Sequence, residues 1–394
     1  YVLHLTGEPR MAVYLDHAAT TPLHPDVIEV MVDAMKRVHG NPSSIHAFGR
    51  EARALMTASR DMIAGKLGCA PEELVFTGSG SESDNLALFG VALAAAGDKP
   101  GGRSRGHIVT SQIEHPAVLN ACRRLRDLGF DVTEVPVDGH GRVDPDQVSG
   151  ALRPDTVLIS VMFGNNETGT LQPVEEIGRI ARERGIPFHV DAVQALGKVP
   201  IDLSRLPVDL MSFSAHKING PKGVGLLYAA KNVRLVPSVF GGGQERKRRA
   251  GTENVPGIAG FAKALEIALA DLDSEAARLS ELRRQFVDAL RDELGADAVI
   301  VNGDPERTLP HIVNLSFPPV SAESLLMNLD LAGIAASAGS ACSSGSLSPS
   351  HVLVAMGIGE ERFRSAVRFS FGFGNVHEDV TFSVRTIATI VRRL

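Results

Sequence analysis

The chain has 394 residues, of which 44% are hydrophobic and 22% are charged, and its net charge at pH 7 is −6. This composition is typical of a globular protein with two or three domains, and its acidic balance gives no sign of a nucleic-acid partner. No apolar run approaches the roughly 18 residues that a membrane-spanning helix needs. We therefore expect a cytoplasmic protein without a membrane partner.

The spacing of cysteines and histidines favours neither a disulfide framework nor a metal site. The three cysteines, Cys69, Cys122 and Cys342, are far apart, and the 13 histidines include no HExxH motif. Residues 1–10 precede Met11 and lack the charged and apolar regions of a signal peptide. We interpret these residues as an upstream or expression-derived extension.

Short apolar strands alternate with helical periods through the first 230 or so residues. A strand at 13–15 leads into a polar turn, and helices are predicted at 25–38 and 47–67. Seven further strands follow at 74–77, 107–111, 132–135, 156–163, 186–191, 210–214 and 224–229, with helices at 82–96, 116–128 and 174–184 between them. This α/β pattern predicts a mostly parallel seven-stranded sheet flanked by helices, with ligands bound at the carboxyl ends of its strands.

The last third of the chain has a different pattern. A helical stretch is predicted from 256 to 294, and strands at 311–317 and 367–371 are then mixed with helices. This arrangement predicts a smaller α+β domain. We expect residues 25–270 to form the large domain, and residues 11–24 with 271–394 to form the small one.

A glycine-rich turn follows the first strand of the predicted sheet. In Thr77-Gly78-Ser79-Gly80-Ser81, the glycines allow the backbone to approach an anion, and the following helix offers unpaired N–H groups. The turn suits a phosphate, although it is neither a Walker A loop nor GxGxxG. A capped helix start without a ligand is the alternative.

Other strands of the sheet also end in residues with distinctive chemistry. His115 could stack on a flat ring, Asn166 could hold an oxygen, and Gln194 could reach a ring hydroxyl. Asp191 ends an apolar strand, where a carboxylate needs a cationic partner such as a protonated pyridine nitrogen. Lys217, placed among small and hydroxylated residues, could form a Schiff base.

Each of these residues has a plain alternative, such as a loop histidine or a solvated lysine. Together with the glycine-rich turn, however, they meet the requirements of pyridoxal phosphate. The combination therefore predicts this cofactor, with Lys217 as its attachment point.

Two more residues, further along the chain, point to the substrate. Cys342 lies in a run of small residues, 337–348, where a thiol that must reach a substrate is more plausible than a packing cysteine. Arg368 interrupts an apolar strand and needs an anionic partner. That partner could be an amino-acid carboxylate, or a carboxylate of the protein in a structural salt bridge.

Several motifs match one family of proteins. They are Tyr14-Leu15-Asp16-His17-Ala18-Ala19-Thr20-Thr21, Gly40-Asn41-Pro42-Ser43-Ser44 with His46, Glu82-Ser83-Asp84-Asn85, Asn165-Asn166-Glu167-Thr168-Gly169, Ser214-Ala215-His216-Lys217, Gly241-Gly242-Gly243-Gln244-Glu245 and Arg249-Ala250-Gly251-Thr252. The chain resembles the cysteine desulfurases, which belong to the pyridoxal-phosphate-dependent aminotransferase class V group and have fold type I. The resemblance runs from about residue 14 to 380, and the cysteine segment is similar to the form with a longer catalytic loop.

The resemblance implies a role for each candidate residue at the cofactor. It implies that Lys217 forms the Schiff base, that His115 stacks on the ring, and that Asp191 and Gln194 contact its nitrogen and hydroxyl. The implied phosphate ligands are Gly80, Ser81, Ser214 and His216, together with Thr252 from the other subunit of a homodimer.

The resemblance also implies how L-cysteine is bound and used. Asn166 and Arg368 would hold the substrate carboxylate, and Cys342 would attack its sulfur, which leaves an enzyme persulfide and releases L-alanine. The sulfur would pass to an acceptor protein such as an iron-sulfur scaffold, or serve tRNA or thiocofactor synthesis. No metal is implied.

Two departures from the family pattern and two alternative functions remain open. Ser81 replaces a common threonine, and Phe373 stands where relatives often carry arginine. The chain could instead be another class V enzyme, such as an aminotransferase or a selenocysteine lyase, and an aminotransferase would not need Cys342. It could also be a sulfur-carrying protein without enzymatic activity.

Overall fold

The computed structural model describes residues 12–97, 105–339 and 349–394. The strands in these ranges are β1 (Val13–Tyr14), β2 (Leu74–Thr77), β3 (His107–Ser111), β4 (Asp131–Val135), β5 (Thr156–Ser160), β6 (Phe188–Asp191), β7 (Leu210–Ser214), β8 (Gly225–Ala229), β9 (Ile300–Asn302), β10 (Ile312–Ser316), β11 (Ile334–Ala335) and β12 (Ala366–Ser370). The helices are α1 (Pro25–Arg37), α2 (Ala47–Leu67), α3 (Gly80–Ala96), α4 (Pro116–Asp127), α5 (Pro145–Ala151), α6 (Val174–Arg184), α7 (Val255–Ala270), α8 (Leu272–Leu294), α9 (Ala322–Leu331), α10 (His351–Ala355), α11 (Glu360–Arg364) and α12 (His377–Arg393). Within the described part of the chain, none of these helices combines the length and apolar character needed to cross a membrane.

The larger sheet has seven strands in the order β2-β8-β7-β6-β5-β3-β4. Strand β8 is antiparallel to β2 and β7, and every other pair of neighbours is parallel. Ile108 packs in the hydrophobic core on the α3 and α4 side of the sheet, whereas Val109 packs in the core on the opposite side. Both faces are therefore covered, which explains the unbroken apolar runs of these strands. The predicted seven-stranded, mostly parallel sheet is confirmed.

The sequence prediction missed the division between α7 and α8 and the short helix α5, and strands β5 and β6 are shorter than predicted. The predicted helix at 256–294 is divided into α7 and α8 at Asp271, whose φ of −130° and ψ of 41° are not helical. Asp271 instead precedes α8, and its carboxylate makes no capping hydrogen bond to that helix. Helix α5 was not predicted because it has only seven residues, too few for a clear periodic pattern.

A second, smaller sheet follows in the chain. Strands β12, β10 and β9 are antiparallel, and Phe286 of α8 contacts the rings of Phe369 and Phe371, with centroids 5.0 and 5.5 Å away. Val13 at the start of the chain joins this same core, and β1 pairs with β11. The structure therefore contains a smaller α+β unit with its own core. The proposed bounds of the two domains stay a prediction.

A buried ion pair joins α2 to the loop before α7. Arg60 donates to the carbonyl of Leu74 and pairs with Glu245, whose other carboxylate oxygen accepts from the N–H of Phe76 at 2.9 Å. Both charged residues are less than 10% exposed. Because each buried charge depends on the other, loss of one partner is costly.

We therefore expect Glu245→Ala to lower the free energy of unfolding by about 3 to 5 kcal/mol, because it leaves the Arg60 guanidinium buried without its carboxylate. Urea denaturation followed by circular dichroism measures the change. Asp288→Ala is the control, since it breaks an exposed ion pair with Arg284 and should cost less than about 1 kcal/mol. Equal losses in the two variants would contradict this role for the buried pair.

Candidate active site

The candidate residues gather at one edge of the larger sheet. Strands β2 to β7 all run in the same direction, so their carboxyl ends share this edge. The candidates follow five of these strands: Gly80 and Ser81 after β2, His115 after β3, Asn166 after β5, Gln194 after β6, and His216 and Lys217 after β7, while Asp191 and Ser214 are the last residues of β6 and β7. Such an edge is where parallel sheets bind ligands.

The start of α3 forms a cradle with the end of β7. A Cβ atom at Gly80 would lie 2.7 Å from a methyl group of Val193, so only glycine fits here. The hydroxyl of Ser214 is buried, and it has no hydrogen-bond partner among the described residues. A buried hydroxyl without a partner is unusual. A phosphate at the N-terminus of α3 would supply that partner.

Lys217 lies in a tight turn, residues 215–217, directly after β7. Its Nζ donates to the carbonyl oxygens of Ala18 and Ala19, the latter at 2.8 Å. Gln194 donates to the same Ala18 carbonyl at 2.9 Å. The segment before α1 therefore lies directly against the amine, and it orients Lys217 and Gln194 together.

His115 and Asp191 interact electrostatically with each other and with Lys217. Burial raises the pKa of Asp191, whereas the charges of His115 and Lys217 and a hydrogen bond from the N–H of Val193 lower it. Burial also lowers the pKa of His115; the charge of Asp191 opposes this shift and that of Lys217 adds to it. Nearby positive charge and the Val193 N–H therefore both stabilise the anionic form of Asp191 against the cost of burial.

His216 is held as a neutral imidazole. Burial, together with the charges of Lys217 and Lys222, lowers its pKa to about 4. Its Nδ1 lies 3.1 Å from the hydroxyl of Thr20. At neutral pH the ring can therefore contact an anion through a hydrogen bond, but not through a positive charge.

Arg368 has the structural salt bridge that the sequence left as an alternative. Its Nη2 pairs with Asp16 at 2.8 Å, and its Nη1 donates to the carbonyls of Asn166 and Gly339 at 2.9 and 3.0 Å. Its buried Nε has no partner among the described residues. The guanidinium thus lies beside Asn166 with its Nε donor still available, and the predicted carboxylate site stays a prediction.

The structure does not bring every candidate residue to this edge in a defined way. Ser81 and Thr252 are both exposed. The loop that carries Thr252 approaches α3 through an ion pair between Arg249 and Glu82 at 2.8 Å. Cys342 lies outside the described residues, so its predicted role stays a prediction.

The other two cysteines are poor nucleophiles. Burial raises the pKa of the Cys69 thiol and of the Cys122 thiol to about 12. A thiol reacts as its thiolate, and these two are therefore inert at neutral pH. Their structure fits the packing role that the sequence favours.

Sequence reasoning missed several residues that shape this edge. Asp16 and Thr20 bond to Arg368 and His216, and the polar turn 16–21 was the available signal. Asp84 and Glu167 are buried carboxylic acids, with exposures of only 1%. Both residues lie within the motifs that resemble those of the cysteine desulfurases, but their burial depends on packing between elements that are distant in sequence.

Asp84 and His189 lie behind Asp191. His189 Nδ1 and Nε2 are each 2.9 Å from a serine hydroxyl, of Ser160 and Ser212 respectively. Asp84 Oδ1 lies 3.6 Å from His189 Nε2, and burial and the charge of Asp191 raise the Asp84 pKa well above its usual value. The same burial lowers the pKa of His189 to about 3, so its imidazole is neutral at pH 7.

Comparisons with known proteins identify the family. The model of the aminotransferase class-V family matches residues 13–382. The chain belongs to the aminotransferase class-V family. It is 52% identical over 384 residues to a protein named putative cysteine desulfurase IscS 1 from Bacillus subtilis (strain 168), covering 97% of this chain and 99% of that protein.

Further relatives and solved structures agree on this family and its fold. The chain is 46% identical over 386 residues to a protein named cysteine desulfurase IscS from Dictyoglomus turgidum, covering 98% of this chain and 96% of that protein. A solved structure described as a NifS-like protein matches with a TM-score of 0.89 and 38% identity, over 98% of this chain and 100% of that one. The predicted fold type I is confirmed.

The buried imidazole of His189 gives a pH prediction for this class-V protein. Burial lowers the His189 pKa to about 3, whereas an unfolded histidine titrates near 6.5. Between these two values only the unfolded chain binds this proton, so the free energy of unfolding falls as pH falls from about 6.5 towards 3. We expect His189→Gln to reduce this slope by about 1.4 kcal/mol per pH unit.

Urea denaturation between pH 4.5 and 5.5 measures this slope in both proteins. Carboxylates titrate in this range too, but they are common to the wild type and the variant, so the difference isolates His189. An unchanged slope would show that His189 is protonated in the folded protein.

Proposed function

We propose that the chain is a cysteine desulfurase that converts L-cysteine to L-alanine and leaves the sulfur as a persulfide on Cys342. The observation that carries this proposal is the convergence of Lys217, His115 and Asp191, each within electrostatic range of the others. The relatives that are 42–52% identical over nearly the whole chain support the same activity, because all those compared bear the name cysteine desulfurase.

The residues present fit pyridoxal phosphate. The orphaned Ser214 hydroxyl, the space at Gly80 and the neutral His216 would receive the phosphate, with Ser81 at the start of α3. Asp191 would pair with the ring nitrogen, His115 would cover the ring, and Gln194 would contact the ring hydroxyl. When bound, the cofactor supplies an electron sink next to the substrate carbon.

Lys217 would serve as the covalent anchor and then as a proton carrier. In the structure, its Nζ is held by two backbone carbonyls of the segment at Ala18 and Ala19. These acceptors fix the amine at the strand edge. The Lys217 amine would also be placed to move a proton to or from Cα of the substrate.

The substrate carboxylate would lie between Asn166 and Arg368. Arg368 is only 1% exposed and its Nε faces no protein acceptor among the described residues. A carboxylate that accepts from Nε would satisfy this donor. Asp16 holds the guanidinium plane from the other side, so it orients the arginine.

The sulfur step assigns a separate task to Cys342. Its thiolate would attack the substrate sulfur, so that an S–S bond forms as the carbon–sulfur bond breaks. The electron pair of the broken bond goes to Cβ of the substrate, which then takes a proton to give the methyl group of L-alanine. The enzyme keeps the transferred sulfur as a persulfide, and no external oxidant or reductant is needed.

A second copy of the chain would complete the site. Ile45 and Phe240 are 87% and 80% exposed, which is unusual for large apolar side chains and supports burial against another subunit. Thr252, exposed on the loop after Phe240, would then contribute to the partner's phosphate site. The persulfide would pass to an acceptor protein, such as an iron-sulfur scaffold, in the cytoplasm.

We expect Cys342→Ala to abolish persulfide and sulfide release from L-cysteine while the visible absorbance of the bound cofactor stays unchanged, because the thiol acts only on the substrate sulfur. Methylene-blue detection of sulfide and an absorbance spectrum measure the two properties. Full desulfurase activity in this variant would contradict the mechanism. A wild-type protein that gains no visible band with pyridoxal phosphate would instead favour a sulfur carrier without enzymatic activity.

A further inference from the structure

One buried side chain, that of Glu167, contacts the residues that border the cysteine segment on both sides. Gly339 is the last described residue before residues 340–348, and Pro349 and Ser350 follow them. Ser350 donates its hydroxyl hydrogen bond to Glu167 Oε2 at 2.5 Å. A Cβ atom at Gly339 would overlap this same oxygen. Glu167 is therefore in contact with the chain on both sides of the segment.

Glu167 is itself held rigidly. It lies in the turn after β5, where Asn165 Oδ1 accepts from the N–H groups of Glu167 and Thr168 at 2.9 and 3.0 Å. Its side chain is 1% exposed. Burial raises the pKa of Glu167, while the hydrogen bond from Ser350 and the charges of His351 and Arg368 lower it. Removing the hydrogen-bond partners of a buried carboxyl group costs much more free energy than removing those of an exposed one.

The same contacts connect both borders to the proposed substrate and cofactor residues. Arg368 donates to the carbonyls of Asn166 and Gly339, and its own backbone pairs with Ser337. After the segment, His351 Nε2 lies 2.9 Å from the carbonyl of Glu114, the residue before His115. Both borders of the segment are thus connected to residues that are proposed to bind the substrate and the cofactor ring.

We propose that Glu167 is a positioning residue for sulfur transfer, because its carboxyl group accepts a hydrogen bond from Ser350 and packs against Gly339, beside the proposed substrate-binding residues Asn166 and Arg368. It touches neither substrate nor cofactor, and it acts through the two borders of the segment that carries Cys342. The inference rests on the proposed function. In this inference, Glu167 affects only the attack of the Cys342 thiol on the substrate sulfur. It does not affect proton transfer at Cα of the substrate.

The test compares a reaction that needs the Cys342 thiol with one that does not. Persulfide formation on the Cys342 peptide, followed by mass spectrometry after mixing holoenzyme with L-cysteine, reports sulfur transfer. Exchange of the Cα proton of L-alanine in D₂O, measured by NMR, depends on the cofactor and on Lys217 but does not need the Cys342 thiol. In both Glu167→Ala and Ser350→Ala, we expect persulfide formation to slow about tenfold and exchange to stay within about twofold of wild type.

Two further variants separate positioning from a general loss of structure. Ser350 also caps α10, since it accepts from the N–H of Leu353. Ser321→Ala is the matched control, because Ser321 caps α9 in the same way and is exposed; it should leave both reactions unchanged. Ser350→Thr keeps the hydroxyl and should restore most of the rate of persulfide formation.

A double variant tests whether the two residues act together. Because Glu167 and Ser350 share one hydrogen bond, Glu167→Ala combined with Ser350→Ala should be no slower than the slower single variant. Multiplicative losses, equal losses in both reactions, or a wild-type rate of persulfide formation in Ser350→Ala would each overturn the inference. If the proposed function itself is wrong, the wild-type enzyme shows neither exchange of the Cα proton nor persulfide formation.

Discussion

The segment from Asp16 to Thr21 binds both sheets, and the geometry of the candidate site depends on it. On the small sheet, Asp16 pairs with Arg368 of β12, and the N–H of Ala18 donates to the Ser370 hydroxyl at 2.8 Å. On the large sheet, the N–H of Thr21 donates to the carbonyl of His216 at 3.0 Å, and Lys217 donates to the carbonyl of Ala18. These bonds link Lys217, the proposed cofactor anchor, to Arg368, the proposed ligand of the substrate carboxylate. A shift of this short segment would therefore change both positions together.

Four buried acidic residues determine much of the electrostatics near the candidate site. Glu114, Asp84, Asp191 and Glu167 all lie behind or beside the strand edge, and burial raises the pKa of each. Such groups are costly to bury as anions, so each is retained only with a hydrogen bond or a nearby cation. For Asp191, the charges of His115 and Lys217 and a hydrogen bond from the N–H of Val193 oppose the effect of burial.

The sequence allowed the sheet, most of its flanking helices and the chemistry of its edge to be predicted, because periodicity and motif chemistry are local. Lys217 and His115 follow apolar strands, and Asp191 is the last residue of one. The break at Asp271 and the partner of Arg368 were not determined by local pattern. Asp16 is 352 residues from Arg368, and the role of Glu167 depends on contacts with Gly339 and Ser350, which no periodicity reveals. The place of Cys342 stays a prediction, since it lies outside the described residues.

The most direct test of the account is the identity of the lysine that holds the cofactor. Holoenzyme reduced with sodium borohydride and digested should yield one pyridoxyl-phosphate peptide by mass spectrometry, labelled at Lys217. Lys198 is an alternative attachment point. Burial lowers its pKa to about 8, and a lower pKa increases the fraction of the amine that is unprotonated and nucleophilic. A label on Lys198 or Lys222, or no label at all, would contradict the account.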